Sequence, residues 1–365
     1  MLIRPATAAD NEALLQLARQ TPSAGPLRLY ADQSPDFCAF LGVAGDGYEL
    51  WVAENDGKIE GSLAETYRRV QFAGRGVNLL TLSQLRAAPT AKRAVGVTLL
   101  RHVASHPGQQ ARDLGVGYVL AGNDRARRLY DALLGQRFGV RSYGTVISSV
   151  LLPCRSYPLA AGYSIRTAAP ADLPAIVALL QATYQDYDLA PEFDLAWLST
   201  QLSRSATLNL DDFIVATVDG VVVASAAFWH QAGLRRHVAA VLSPTLRLLV
   251  GLLRILGHSF PAPTPAVPGV PFNLCYVRFP AVRAGHLEAL GLILRHQLTV
   301  LRRHRRCHAL VAGFHSSDPL GASVRGLPRY PISSEIVLAP LSAHLDLPAD
   351  SSGGTRPVYT DISTT

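Results

Sequence analysis

The sequence predicts an α/β protein built as two tandem copies of one fold. The first observation is an internal repeat. Ile3-Arg4-x-Ala6-x-x-x-Asp10 returns as Ile165-Arg166-x-Ala168-x-x-x-Asp172, and Val52-Ala53-x-x-Asp56-Gly57 returns as Val215-Ala216-x-x-Asp219-Gly220. The offsets are 162 and 163 residues, and a near-constant offset over two separated blocks marks duplication. The second observation is the order of elements: strand, helix, hairpin, long strands, helix, strand, helix. The third is length, since 365 residues exceed one typical domain. The expected units are residues 1–152 and 163–345, then a C-terminal tail, 346–365. Pro153, Pro158 and Gly162 punctuate the boundary from Leu152 to Gly162.

Leu2 to Pro5 reads as a strand. Thr7-x-x-Asp10 is a capping box with Asp in place of Glu, and Leu14, Leu15, Leu17 and Ala18 form the apolar stripe of the helix that follows. Residues 21–48 are rich in Pro, Gly and Ser, with a short helix expected from Pro35 to Leu41. Leu50 to Glu54 is a strand, Asn55-Asp56-Gly57-Lys58 a hairpin turn, and Ile59 to Phe72 the returning strand. Ala73-Gly74-Arg75-Gly76 turns into a strand from Val77 to Ala87. A helix from Val97 to Ser105 follows. Val116 to Ala121 is a short apolar run, read as a buried strand. The segment Asn123 to Gly135 is then a helix with Ala126, Leu129, Leu133 and Leu134 on one face and Tyr130 at its edge.

The second half offers strand-like Phe272 to Phe279, an amphipathic helix from Gly285 to Leu301, and a strand from Ala309 to His315. Ser243 to Gly257 has no counterpart in the first half. Ser243 can cap, Pro244 suits the first helical position, and Gly257 can terminate. So apolar a helix is expected to be buried, either at the interface between the halves, the favoured place, or as a lid over a ligand cleft, with membrane-surface attachment less favoured because two arginines make a thin polar face.

Hydrophobic residues make up 48% of the chain, enough for two cores, and no run of 18 apolar residues suggests a membrane span. Cys38, Cys154, Cys275 and Cys307 are scattered and form no C-x-x-C. That points to a reducing, cytoplasmic setting without structural zinc. His304 and His308 are spaced like metal ligands but lack a third partner, so no metal is expected. The net charge of +7 is carried almost wholly by arginine, with only Lys58 and Lys92 as lysines. Such a balance suits an anionic ligand. Nucleic acid is not expected, because no aromatic-interleaved basic motif is present.

The run Asn123-x-x-Ala126-x-x-Leu129-Tyr130, set between a strand and a helix, resembles the GNAT superfamily of acyl-CoA-dependent N-acyltransferases. The element order of both halves is similar to a GNAT domain, a mixed central sheet flanked by helices, here in tandem as a pseudo-dimer. The resemblance implies that Tyr130 protonates the departing CoA thiolate and that Asn123, with Arg127 beside it, contacts the cofactor. It implies further that the backbone at Leu85 and Ala87 pairs with the pantetheine of acetyl-CoA or another acyl-CoA. The family's pyrophosphate loop, [QR]-x-x-G-x-[GA], matches Arg93-x-x-Gly96-x-Thr98. Shifted by one residue it would read Lys92-x-x-Val95-x-Val97. Small residues there let backbone N–H groups at a helix start approach phosphates; Val95, Val97 and Thr98 depart from that pattern.

Acyl transfer to an amine also calls for a base and a polarised carbonyl. Glu65 is the candidate base, with Tyr67 and Gln84 as further polar groups on the central strands. The second half shows neither the loop nor the late Asn and Tyr; Tyr330 comes too late. It reads as a degenerate copy, binding or structural. The expected function is an N-acyltransferase acting on an amine-bearing small molecule or peptide. The alternative is a non-catalytic CoA- or small-ligand-binding protein on the same scaffold.

Overall fold

The computed structural model describes residues 1–23, 27–91, 94–106, 112–135, 138–158, 162–205, 207–242, 269–304, 307–342, 344–347 and 356–365. The expected helix at 243–257 and the side chains of Lys92 and Arg93 lie outside them.

The first half runs β1 (Leu2–Pro5), α1 (Asn11–Gln20), β2 (Leu27–Asp32), α2 (Ala39–Ala44), β3 (Gly47–Asn55), β4 (Lys58–Phe72), β5 (Arg75–Ala87), α3 (Val95–Ser105), β6 (Leu114–Leu120), α4 (Asp124–Tyr130) and β7 (Arg141–Leu151). The second half runs β8 (Ser164–Thr167), α5 (Leu173–Tyr184), α6 (Leu195–Arg204), β9 (Phe213–Val218), β10 (Val221–His230), β11 (Arg236–Leu242), β12 (Pro271–Phe272), β13 (Leu274–Val282), α7 (Leu287–His304), β14 (Ala309–His315) and β15 (Arg329–Pro340). Several boundaries moved, two of them for a visible reason. The short helix begins at Ala39 rather than near Pro35, because Pro35 lies in a turn ahead of it. Helix α3 begins at Val95 rather than Val97, since Val95 is buried against Gly61 and anchors the first turn.

The repeated residues do the same work twice. Asp10 accepts from the Thr7 N–H at 2.7 Å and is clamped by Arg4 at 2.7 and 2.8 Å. Asp172 accepts from the Ala169 N–H at 2.7 Å and is clamped by Arg166 at 2.6 and 2.9 Å. Asp56 and Gly57, like Asp219 and Gly220, supply the two positive-φ positions of a tight hairpin. Arg4 holds the Asp10 carboxyl well below the usual carboxylate range, and Arg166 lowers that of Asp172. A lowered folded pKa gives stability that is present above the ordinary value of about 4 and lost as pH falls through the folded value. Asp10→Asn is therefore expected to cost roughly 1 kcal/mol at pH 7. Urea titrations of both proteins should show that difference shrinking as pH drops below about 4; a pH-independent difference would contradict the clamp.

One continuous sheet carries both halves, in the order β1-β3-β4-β5-β6-β15-β7-β14-β13-β10-β9-β8. Each half gives its last strand to the other. β15 lies antiparallel to β6, with Ala339 opposite Gly115, while β7 pairs with β14, with Leu151 opposite Leu310. A smaller sheet, β12-β11-β2, also crosses the halves, with Arg236 bridging to Asp32 at 2.8 Å. Residues of the expected tail return to this seam. Arg278 pairs with Asp361 at 2.9 Å, both side chains being 3% exposed, and Arg68 donates to the Thr364 hydroxyl at 3.1 Å.

Candidate active site

Strands β5 and β6 run parallel for three residues only, Leu79 to Thr81 against Leu114 to Val116. They then part. Gln84 sits at φ 53°, where the register of β5 against β4 slips between Ser62 and Ala64. Among the described residues no strand pairs the edge of β5 that faces this gap, so the backbone from Leu82 to Ala87 has hydrogen-bonding capacity there. Helix α3 returns antiparallel along the same strand, its start seated on β4: a side chain at Gly61 would meet Val95 Cγ1 at 2.4 Å and Leu99 at 3.1 Å. Among the described residues no side chain caps that start and no acidic residue lies in its first turn, an arrangement that suits an anion. Gly96 stands in this turn and faces open space beside Leu85; Thr98 bonds back to the Ala94 carbonyl at 2.9 Å. Val95 points its branched side chain inward, so it does not crowd the helix mouth.

Tyr130 ends α4 with its ring laid on Gly117 of β6, at the level where the strands part. A β-carbon on Gly117 would come within 2.8 Å of the Tyr130 hydroxyl. The ring is 8% exposed, and burial pushes the phenol up to about 12. At neutral pH it is therefore a proton donor. Asn123 begins α4 and its side-chain oxygen accepts from the Ala126 N–H at 3.2 Å. Thus the asparagine of the run is also the helix cap. Arg127 is engaged by Asp131 at 3.0 Å and by Glu335 of β15, so a phosphate would compete with two carboxylates.

Beneath Tyr130, on the α3 face of the sheet, lies a cavity of about 310 Å³. Leu80 and Leu82 of β5, Leu100, Val103 and Ala104 of α3, and Leu134, Phe138 and Val140 wall it, with Gly115 and Gly117 at its floor. Val337 and Ala339, from the exchanged β15, close one side. The second half therefore completes a site that belongs to the first.

Arg112 stands at the far end of this cavity. It reaches Glu65 at 2.6 Å, Glu49 at 3.7 Å and the Tyr67 hydroxyl at 3.2 Å; Tyr67 in turn donates to Glu65 at 2.6 Å. Burial raises the Glu65 carboxyl, and Tyr67 and Arg112 oppose that rise. Glu65 is 0% exposed and is not part of the cavity wall. Leu63, Glu65 and Tyr67 share one face of β4, as the period of a strand requires. The structure gives Glu65 an ion partner, not an opening toward a substrate amine. Gln84 is used locally, its side chain accepting from Arg86 at 3.1 Å.

Gly115 and Gly117 were not singled out from the sequence, although L-G-V-G-Y carries a signal. Two glycines two apart in an apolar strand leave one face bare. The equivalent residues of the second half confirm what the bareness does. Its parallel ladder pairs Leu274 with Ala309, 195 residues on in both strands, and Phe279 repeats the positive φ of Gln84. Leu310 and Ala312 then stand where Gly115 and Gly117 do. Both are fully buried in one core with Leu290, Leu294, Leu320 and Val324. A short 3₁₀ turn, Pro319–Val324, lies in place of α4. The second half has filled the space that the first leaves open.

No protein-family model matches the chain, and no curated protein matches it in sequence. Solved structures do. A tandem GNAT protein from the clavulanic acid biosynthesis pathway superposes with a TM-score of 0.56 at 15% identity, over 96% of this chain and 99% of that one. A GCN5-related N-acetyltransferase from Sphaerobacter thermophilus gives 0.56 at 15%, over 95% and 97%. Saccharomyces cerevisiae N-myristoyltransferase with bound myristoyl-CoA gives 0.57 at 11%, over 93% and 83%. The chain has the tandem GNAT fold.

Proposed function

We propose that the protein is an acyl-CoA-dependent N-acyltransferase with one active site, in the first half. The observation that carries this reading is the Tyr130 hydroxyl, held over Gly117 where β5 and β6 part and β5 presents an unpaired edge. The structural neighbours lend support, since they include acetyltransferases and an enzyme described with an acyl-CoA.

The chemistry follows from the geometry. The uncapped start of α3 suits the CoA phosphates, and the free edge of β5 from Leu85 to Ala87 suits the amides of the pantetheine arm. Anchored at those two places, the thioester comes to the gap beside Tyr130. The acceptor nitrogen attacks the thioester carbon, a C–N bond forms, and the C–S bond breaks. Tyr130 gives its proton to the leaving sulfur and regains one from the nitrogen through solvent. Glu65 is not needed in that sequence; it fixes Arg112 and Tyr67 at the cavity end. The expected co-substrate is acetyl-CoA or another acyl-CoA, and the acceptor a small-molecule or peptide amine.

Two features favour a second reading, a binding protein without turnover. The expected base is buried in an ion pair, and Arg127 is held by carboxylates. Two measurements on one preparation separate the readings: the melting temperature with acyl-CoA, and release of free thiol with a panel of amines. At 100 times its dissociation constant a ligand adds about 2.7 kcal/mol of stability. Stabilisation with thiol release supports the enzyme, stabilisation alone the binding protein, and neither contradicts both.

A further inference from the structure

We propose that the cavity beneath Tyr130 holds the acyl chain, and that the preferred donor carries an apolar acyl group longer than acetyl. This deepens the acyltransferase reading and rests on it.

The direction of the bound thioester fixes which part of it meets the cavity. The phosphate-binding start of α3 lies at Val95, beside Gly61 and the end of β5. The cavity is lined by the other end of the same helix, from Leu100 to Ser105. A pantetheine arm running from Val95 along β5 delivers its sulfur to Tyr130. Whatever the sulfur carries continues in the same direction, over Gly117 and Gly115 and under α3. An acetyl group, with three heavy atoms, would leave most of 310 Å³ unfilled, because a single water already takes about 30 Å³.

The lining sets the chemistry of the chain. Leu82, Leu100, Val103, Leu134 and Val337 are apolar and offer no hydrogen bond, and the polar lining residues Ser105 and His106 stand with Arg112 at the far end. Arg112, at the far end, is already answered by Glu65 and Glu49, so a terminal carboxylate would meet an excess of negative charge. A neutral hydrocarbon chain fits, and a dicarboxylic acyl group does not. The second half provides an internal control: with Leu310 and Ala312 in place of the two glycines, the same position is solid core.

The test is calorimetric titration of the purified full chain with CoA, acetyl-CoA, butanoyl-CoA, octanoyl-CoA and dodecanoyl-CoA. The expected result is an affinity at least tenfold higher for octanoyl-CoA than for acetyl-CoA, since each buried methylene contributes favourably. Gly115→Leu and, independently, Ala104→Phe should shift the preference toward shorter chains, in preparations whose circular dichroism matches the parent. Equal affinity for CoA, acetyl-CoA and the longer thioesters would overturn the cavity assignment and leave the acyltransferase reading standing. A length preference that survives both substitutions would also overturn it, by placing the chain elsewhere. Failure of all five compounds to bind would overturn the acyltransferase reading along with it.

Discussion

Tyr130→Phe should lower kcat by roughly 10²-fold while leaving the dissociation constant for acyl-CoA within about twofold. The two outcomes are linked by geometry. Removing the hydroxyl deletes the proton donor held over Gly117 but keeps the ring that packs on that glycine. Binding contacts at α3 and β5 are untouched. Because the phenol is pushed up to about 12, the wild-type rate should not fall through loss of this proton anywhere below pH 10. Steady-state kinetics with any amine the protein acylates would check both points. An unchanged kcat would remove Tyr130 from the reaction, and a large loss of affinity would make it a structural element only.

Arg112→Met should produce the largest loss of stability, about 3–5 kcal/mol. The substitution keeps much of the stem that fills the cavity end. It strips the cation from Glu65, which is fully buried, and from Glu49. An unpaired carboxylate in that position must either stay charged at high cost or take up a proton. Burial already raises the Glu65 carboxyl, so the loss should be smaller at acid pH, where the neutral form is populated, and larger at neutral pH. Glu65→Gln combined with Arg112→Met should recover part of the stability. Equal destabilisation at all pH values, with no recovery in the double variant, would show that packing alone is at stake.

Much of the fold was legible because its signals are local. The Arg4–Asp10 and Arg166–Asp172 clamps, the Asp-Gly turns and the apolar stripe of α1 are each written within ten residues. They revealed the duplication and the order of elements. The exchange of β7 and β15 was not legible. Both strands alternate in the ordinary way, and nothing in a strand's own sequence says which neighbour it pairs with. The same limit applied to the site. Tyr130 and Asn123 stood out through the spacing of one short run, seven residues or about two helical turns. The cavity depends on two glycines of β6 meeting residues from α3 and β15, which are distant along the chain. Glu65 was chosen as a charged residue in mid-strand; its partner Arg112 lies 47 residues on, so the pairing that takes it out of the cleft was invisible in sequence.

The central claim is a single acyl-CoA site, in the half that keeps Gly115, Gly117 and Tyr130. The most direct measurement is the stoichiometry of acyl-CoA binding to the intact chain by calorimetric titration. The second half has Leu310 and Ala312 in place of the glycines, and a 3₁₀ turn in place of α4. One site per chain is the predicted result. Two equivalent sites would show that the second half binds as well, and no binding at all would contradict the assignment outright.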